Sequence, residues 1–145
     1  MKKHVEELLS IARGLESAPS VELFPVVTHR GFREIKKTDY PVFHLYEQEL
    51  SNPNEQSTDL RSYTGGWTYG IQIRSLITAN PPLETGDEFE EQDILVWKFL
   101  KALTDDASWQ LIDMRTFTAT IGGVTAIVTD FHLQKWESFS YDDAP

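Results

Sequence analysis

Gly122-Gly123 divides residues 109–136 into two runs of alternating apolar and polar side chains, and it constrains the fold more than any other feature. A two-residue Gly-Gly loop suits a type I′ turn, in which both positions need φ > 0. Such a turn fixes register, so that each residue i faces residue 245 − i. The resulting pairs make chemical sense. Ile121 meets Val124, Ala119 meets Ala126 and Phe117 meets Val128 on one face; Thr120 meets Thr125 and Thr116 meets Thr129 on the other. The two Thr–Thr pairs are favourable cross-strand pairs. Further from the turn the same rule sets Arg115 against Asp130, Met114 against Phe131, Asp113 against His132, Ile112 against Leu133 and Trp109 against Trp136.

The apolar face of this hairpin changes along its length. Near the turn it carries Phe117 and Val128; at the base it carries Ile112 and Leu133. The change falls on both strands together, whereas a bulge would shift one strand alone. The ribbon is therefore expected to pack one way at its base and the opposite way at its tip. Two outcomes follow: a coiled ribbon buried in its own chain, or a tip that covers its apolar face with a neighbouring subunit. Phe117, Ala119, Ile121, Val124, Ala126 and Val128 are the candidate contact residues of the second outcome.

The rest of the chain supplies two helices and further strands. Val5, Leu8, Leu9, Ala12 and Leu15 recur at helical spacing, predicting a helix over 4–15 that Gly14 and Pro19 stop. Residues 20–28 and 40–47 read as extended, and 67–78 alternate with Trp67, Tyr69, Ile71, Ile73 and Ile77 on one face. Residues 50–66 read as a long polar loop, a natural contact segment with Arg61 and Tyr63 as candidates. Residues 84–93 hold six acidic residues and lead into a helix over about 88–104. Its inward stripe is Val96, Phe99, Leu100 and Leu103, widened by Trp97, with Asp87 and Glu90 as a capping box. The expected fold is α+β: a mostly antiparallel sheet with two helices on one face and a long C-terminal β-hairpin. One domain is expected over 1–136, followed by an acidic, flexible tail over 137–145.

Composition bounds the chemistry. The chain has 145 residues, 40% hydrophobic, enough for a single core. The absence of cysteine excludes disulfides, thiolate catalysis and zinc sites built from Cys. His4, His29, His44 and His132 show none of the HxH, HxxxH or HExxH spacings, and no GxSxG elbow, P-loop or GxGxxG occurs. Asp113 and His132 resemble a base with its orienting acid, but their register makes them first a cross-strand pair. No catalytic residue, cofactor or metal is expected. A formal charge of −10 opposes general affinity for nucleic acid; Arg30, Arg33, Lys36 and Lys37 form the one basic cluster. No apolar run approaches the ~18 residues of a membrane span, and Glu6-Glu7 interrupts any signal h-region. No membrane association and an intracellular site are expected.

Helix His4–Leu15, central strand Trp67–Thr78, late helix Glu88–Thr104 and closing strand Val124–Trp136, in this order and at this length, resemble the tail-terminator (tail-completion) proteins of long-tailed bacteriophages. The resemblance lies in element order and character, not in a sequence motif. It implies a homo-oligomeric ring, usually a hexamer, that ends the tail tube and joins it to the head or neck, in the virion tail after assembly in the host cytoplasm. The implied partners are the tail-tube protein and head–tail connector proteins. DNA would pass through without specific binding, for which an acidic wall is suited. The family carries no catalytic residues over to this chain. Rival classes are another connector or neck protein, an acidic DNA mimic that inhibits a nucleic-acid enzyme, and a hydrolase using scattered carboxylates.

Overall fold

The computed structural model describes residues 2–29, 35–51, 62–77, 87–104 and 109–140. In chain order these form helix α1 (Lys2–Gly14), strands β1 (Glu16–Ala18), β2 (Val21–Glu22) and β3 (Val26–His29), and a short 3₁₀ turn at Lys37–Asp39. Then come strands β4 (Val42–Ser51) and β5 (Ser62–Leu76), helix α2 (Asp87–Leu103), and strands β6 (Trp109–Ile121) and β7 (Val124–Ser140). Strands β1 and β2 make a small antiparallel ribbon; the other five form one sheet in the order β3-β4-β5-β7-β6. Only the β3–β4 pairing is parallel. The fold is thus α+β, mostly antiparallel, with two helices and a C-terminal hairpin.

Period-2 alternation in β5 places Tyr69, Ile71 and Ile73 on one face, where all three are fully buried. Phe43 and Leu45 of β4 and Phe131 and Leu133 of β7 continue that face and meet Val5, Leu8, Leu9 and Ala12 of α1 and Val96, Phe99 and Leu103 of α2. Phe99 is the centre of the contact, its ring 4.8 Å from Phe43 and 6.1 Å from Phe131. Each such side chain contributes about 1.5–3 kcal/mol on burial. Glu7 ties α1 to the hairpin base, accepting from Trp109 Nε1 at 3.2 Å and from Lys135 Nζ at 3.3 Å.

Two buried polar residues interrupt the helical stripes. His4 Nδ1 lies 3.0 Å from the Tyr69 hydroxyl. Gln92 is fully buried; its Nε2 donates to the Ile73 carbonyl at 2.7 Å and to Thr129 Oγ1 at 3.1 Å, while the Ser75 hydroxyl donates to its Oε1. Thr129 in turn shares a 2.9 Å hydrogen bond with Thr116. One glutamine thereby fastens α2 to β5 and β7, and through Thr129 to β6.

Several expectations need correction. The 245 − i register holds from Ile121–Val124 to Asp113–His132; Ile112 is then an extra residue, and Leu111 faces Leu133 and Trp109 faces Lys135. The expected pairs Ile112–Leu133 and Trp109–Trp136 are therefore absent, because a bulge absorbs one residue of β6. Trp97 does not widen the buried stripe of α2: it is 61% exposed, and Lys101 covers its ring at 5.1 Å. The long loop is shorter than 50–66, because β4 runs to Ser51 and β5 starts at Ser62. Strand β7 runs past residue 136 and pairs with β5 as far as Ser140 opposite Ser62. Of Asp87 only the backbone is described, so the capping box lies outside the described residues.

Candidate functional site

The face of the sheet turned away from the helices carries a connected polar cluster. It is built on one row across four strands: Glu47 of β4 faces Gly70 of β5, Gly70 faces His132 of β7, and His132 faces Asp113 of β6. Both bulges of the sheet adjoin this row, at Tyr46 in β4 and at Ile112 in β6. Bulges re-aim side chains. Here Tyr46 lies over Gly70, where an added Cβ would come within 2.7 Å of Tyr46 Cζ and 2.9 Å of Glu47 Cβ. Gly70 is the gap through which β4 reaches β7.

His132 bridges three strands. Its Nδ1 lies 2.6 Å from Asp113 Oδ1, and its Nε2 lies 3.2 Å from Glu47 Oε2 and 3.3 Å from the Tyr46 hydroxyl. Partial burial acts to lower the imidazole pKa, but the hydrogen bond and charge of Asp113, then Glu47 and Asp130, outweigh it and raise the value above the ordinary one. A protonated ring donates from both nitrogens, so the geometry fits the imidazolium with a carboxylate at each side.

Tyr46 donates to Asp130 Oδ1 at 2.6 Å, and Gln72 Nε2 reaches Asp130 Oδ2 at 3.4 Å. Burial first, and then the Asp130 hydrogen bond and charge, push the phenol pKa far upward, so Tyr46 remains a donor. Arg74 donates from Nε and Nη2 to Gln72 Oε1, at 3.2 and 2.7 Å. At the β3 side His44 Nδ1 lies 2.6 Å from Thr28 Oγ1. Burial, then the charges of Arg74 and His29, lower the His44 pKa and favour a neutral ring. The cluster joins β4, β5, β7 and β6 by charge and hydrogen bonds on the face without helices. Its chemistry is that of an electrostatic clamp around one titrating histidine.

The hairpin tip divides the residues expected at an interface. Phe117, Ala119, Ile121, Val124, Ala126 and Val128 do share the outward face. Ala126 and Val128, however, are already fully buried within the chain, on strand β7 between β5 and β6. Phe117, Ala119, Ile121 and Val124 are half-buried and are the part of that face a neighbour can reach. Asp130 is engaged by Tyr46 and Gln72, while its register partner Arg115 stacks over the Phe117 ring at 4.6 Å. Tyr63 sits in β5 opposite Phe139, with only its backbone described; Arg61 lies outside the described residues.

Sequence reasoning missed the strongest candidate surface, the edge strand β6. Leu111, Ile112 and Met114 are 48%, 51% and 43% exposed, and among the described residues no strand pairs with the outer edge of β6. Phe89, Ile94 and Trp97 are exposed on α2. β6 becomes the edge because β7, not β6, pairs with β5, an order that the sequence pattern of the hairpin does not carry.

An open groove of about 400 Å³ lies where the end of β5 meets the start of α2, lined by Lys37, Tyr40, Ser75, Leu76, Glu88, Glu91 and Leu95, among others. Two glutamates, Glu88 and Glu91, line it; histidine is not among its lining residues. Among the described residues no group of three or more His, Asp or Glu side chains is placed to hold a metal, and no helix is long and apolar enough to cross a membrane. Comparison with models of known protein families and with curated proteins found no match for this chain.

Proposed function

We propose that the protein is a structural subunit that assembles as a ring at the end of a phage tail tube, terminating the tail and joining it to the head or neck. The observation that carries an assembly role is β6, a 13-residue edge strand whose exposed side chains include Leu111, Ile112 and Met114. Soluble proteins blunt such edges because unpaired N–H and C=O groups recruit other strands, and a row of large apolar side chains beside them marks a contact surface. Phe89, Ile94 and Trp97 on α2 add exposed apolar area. The tail-end assignment rests on the resemblance in element order together with a net charge of −10, which suits a wall past which DNA must slide.

The partners on this reading are further copies of the chain, the tail-tube protein and a connector protein. Negative-stain microscopy of the purified protein mixed with tail tubes tests it. Rings seated on tube ends are expected; tubes whose ends stay bare overturn the assignment.

A further inference from the structure

We propose that β6 pairs with β6 of a second copy, antiparallel about a two-fold axis at Met114, joining two five-stranded sheets into one. This goes beyond the ring reading and does not depend on it, because a two-fold contact does not by itself close a ring.

The direction of the backbone groups limits the possible registers. The Thr125 carbonyl accepts from Ile77 N at 3.1 Å, so Thr125 turns its backbone toward β5. Its β6 partner Thr120 then turns its N–H and C=O away from β7, to the outer edge, with which no strand pairs among the described residues. Alternation gives the same outward direction to Thr118, Thr116 and Met114. Antiparallel self-pairing must match outward residues with outward residues, which leaves axes at or midway between these positions.

Charge selects among them. Asp113 and Arg115 are both exposed and share the face away from the helices, since their β7 partners are His132 and Asp130. An axis at Met114 sets Asp113 of each copy opposite Arg115 of the other, twice. Shifting the axis by one residue sets Arg115 against Arg115 or Asp113 against Asp113, and like charges directly opposite are destabilising. The selected pair is also a non-hydrogen-bonded one, in which side chains approach most closely. On the helix side the same axis brings the two exposed Met114 side chains together, since Met114 faces the core residue Phe131 of β7. An edge that only repelled strands would carry charges of one sign; opposite signs two residues apart make this edge complementary to itself. The bulge at Ile112 ends the regular ladder and confines the contact to about Ile112–Thr116 of each copy.

The absence of cysteine gives a direct test. Met114→Cys adds one thiol per chain at the axis. Hydrogen-bonded antiparallel partners lie about 5.5 Å apart at Cα, within disulfide range. Oxidation of M114C should yield a disulfide-linked dimer, whereas T118C, which lies outside the proposed contact, should not cross-link. In the cysteine-free chain, Arg115→Glu turns both ion pairs into repulsions and should raise the dimer dissociation constant roughly 30-fold in analytical ultracentrifugation. Equal cross-linking of M114C and T118C, or native protein that is monomeric at every concentration, overturns the proposal. A ring on tail tubes whose M114C thiols never meet overturns this pairing alone and leaves the ring reading intact.

Discussion

Gln92→Ala should be among the most damaging single changes in the chain, although it removes a polar residue. Three hydrogen bonds are lost, to the Ile73 carbonyl, to Thr129 Oγ1 and from the Ser75 hydroxyl. At about 1 kcal/mol net each they contribute ~3 kcal/mol, and the one buried methylene removed adds about 0.8 kcal/mol. Thr129 keeps its bond to Thr116 and Ser75 is half-buried, which holds the total nearer 3 than 4 kcal/mol. Domains of this size are stable by about 5–15 kcal/mol, so urea unfolding should show a midpoint well below native, and Tm should fall by roughly 10 °C. Gln92→Glu sharpens the test. It retains shape but, when ionised, points a carboxylate at the Ile73 carbonyl. Full burial would raise its folded pKa above the unfolded value near 4.3. Its cost should then be small at acid pH and grow as pH rises through and above the unfolded value. A loss below about 1 kcal/mol for Gln92→Ala, or a pH-independent cost for Gln92→Glu, would refute the role given to this residue.

Gly70→Ala should cost about 1–3 kcal/mol, because its Cβ would displace the Tyr46 ring from Asp130 and His132; Tyr46→Ala in the same background should recover part of that loss in chemical denaturation. The folded pKa of His132 is raised, so its contribution is complete below the unfolded value near 6.5 and is lost as pH rises through the folded value. Native stability relative to His132→Asn should therefore be greater at pH 6 than at pH 8, read by urea titration at each pH. Val128→Ser should destabilise the isolated chain, since Val128 is fully buried, whereas Phe117→Ser should change assembly more than Tm. Equal thermal losses for both would remove Phe117 from the list of contact residues.

The hairpin was legible because a two-residue glycine turn propagates register outward, and it did so for nine consecutive pairs, from Ile121–Val124 to Asp113–His132. It failed at Ile112, since nothing in an alternating pattern marks where a strand takes in one extra residue. The helix stripes were legible from their spacing, but Gln92 and His4 were not: a polar residue on a helix reads as surface until its partners, distant in sequence, are known. Trp97 failed in the opposite sense, since an aromatic beside an apolar stripe reads as core although the helix turns it to solvent. The polar cluster was half visible. Asp113 and His132 follow from the turn, whereas Glu47 and Tyr46 reach them only because Gly70 leaves a gap in β5. The glycine in the polar register of a strongly alternating strand was the available sign. The edge position of β6 depends on strand order, which one strand's pattern does not carry.

Mass photometry of the native protein, alone and after mixing with purified tail tubes, tests the assembly claim most directly. A subunit whose β6 edge carries exposed apolar side chains should form a discrete oligomer of its own chain and occupy tube ends as a multi-subunit particle. A monomer at every accessible concentration that never associates with tubes would contradict it.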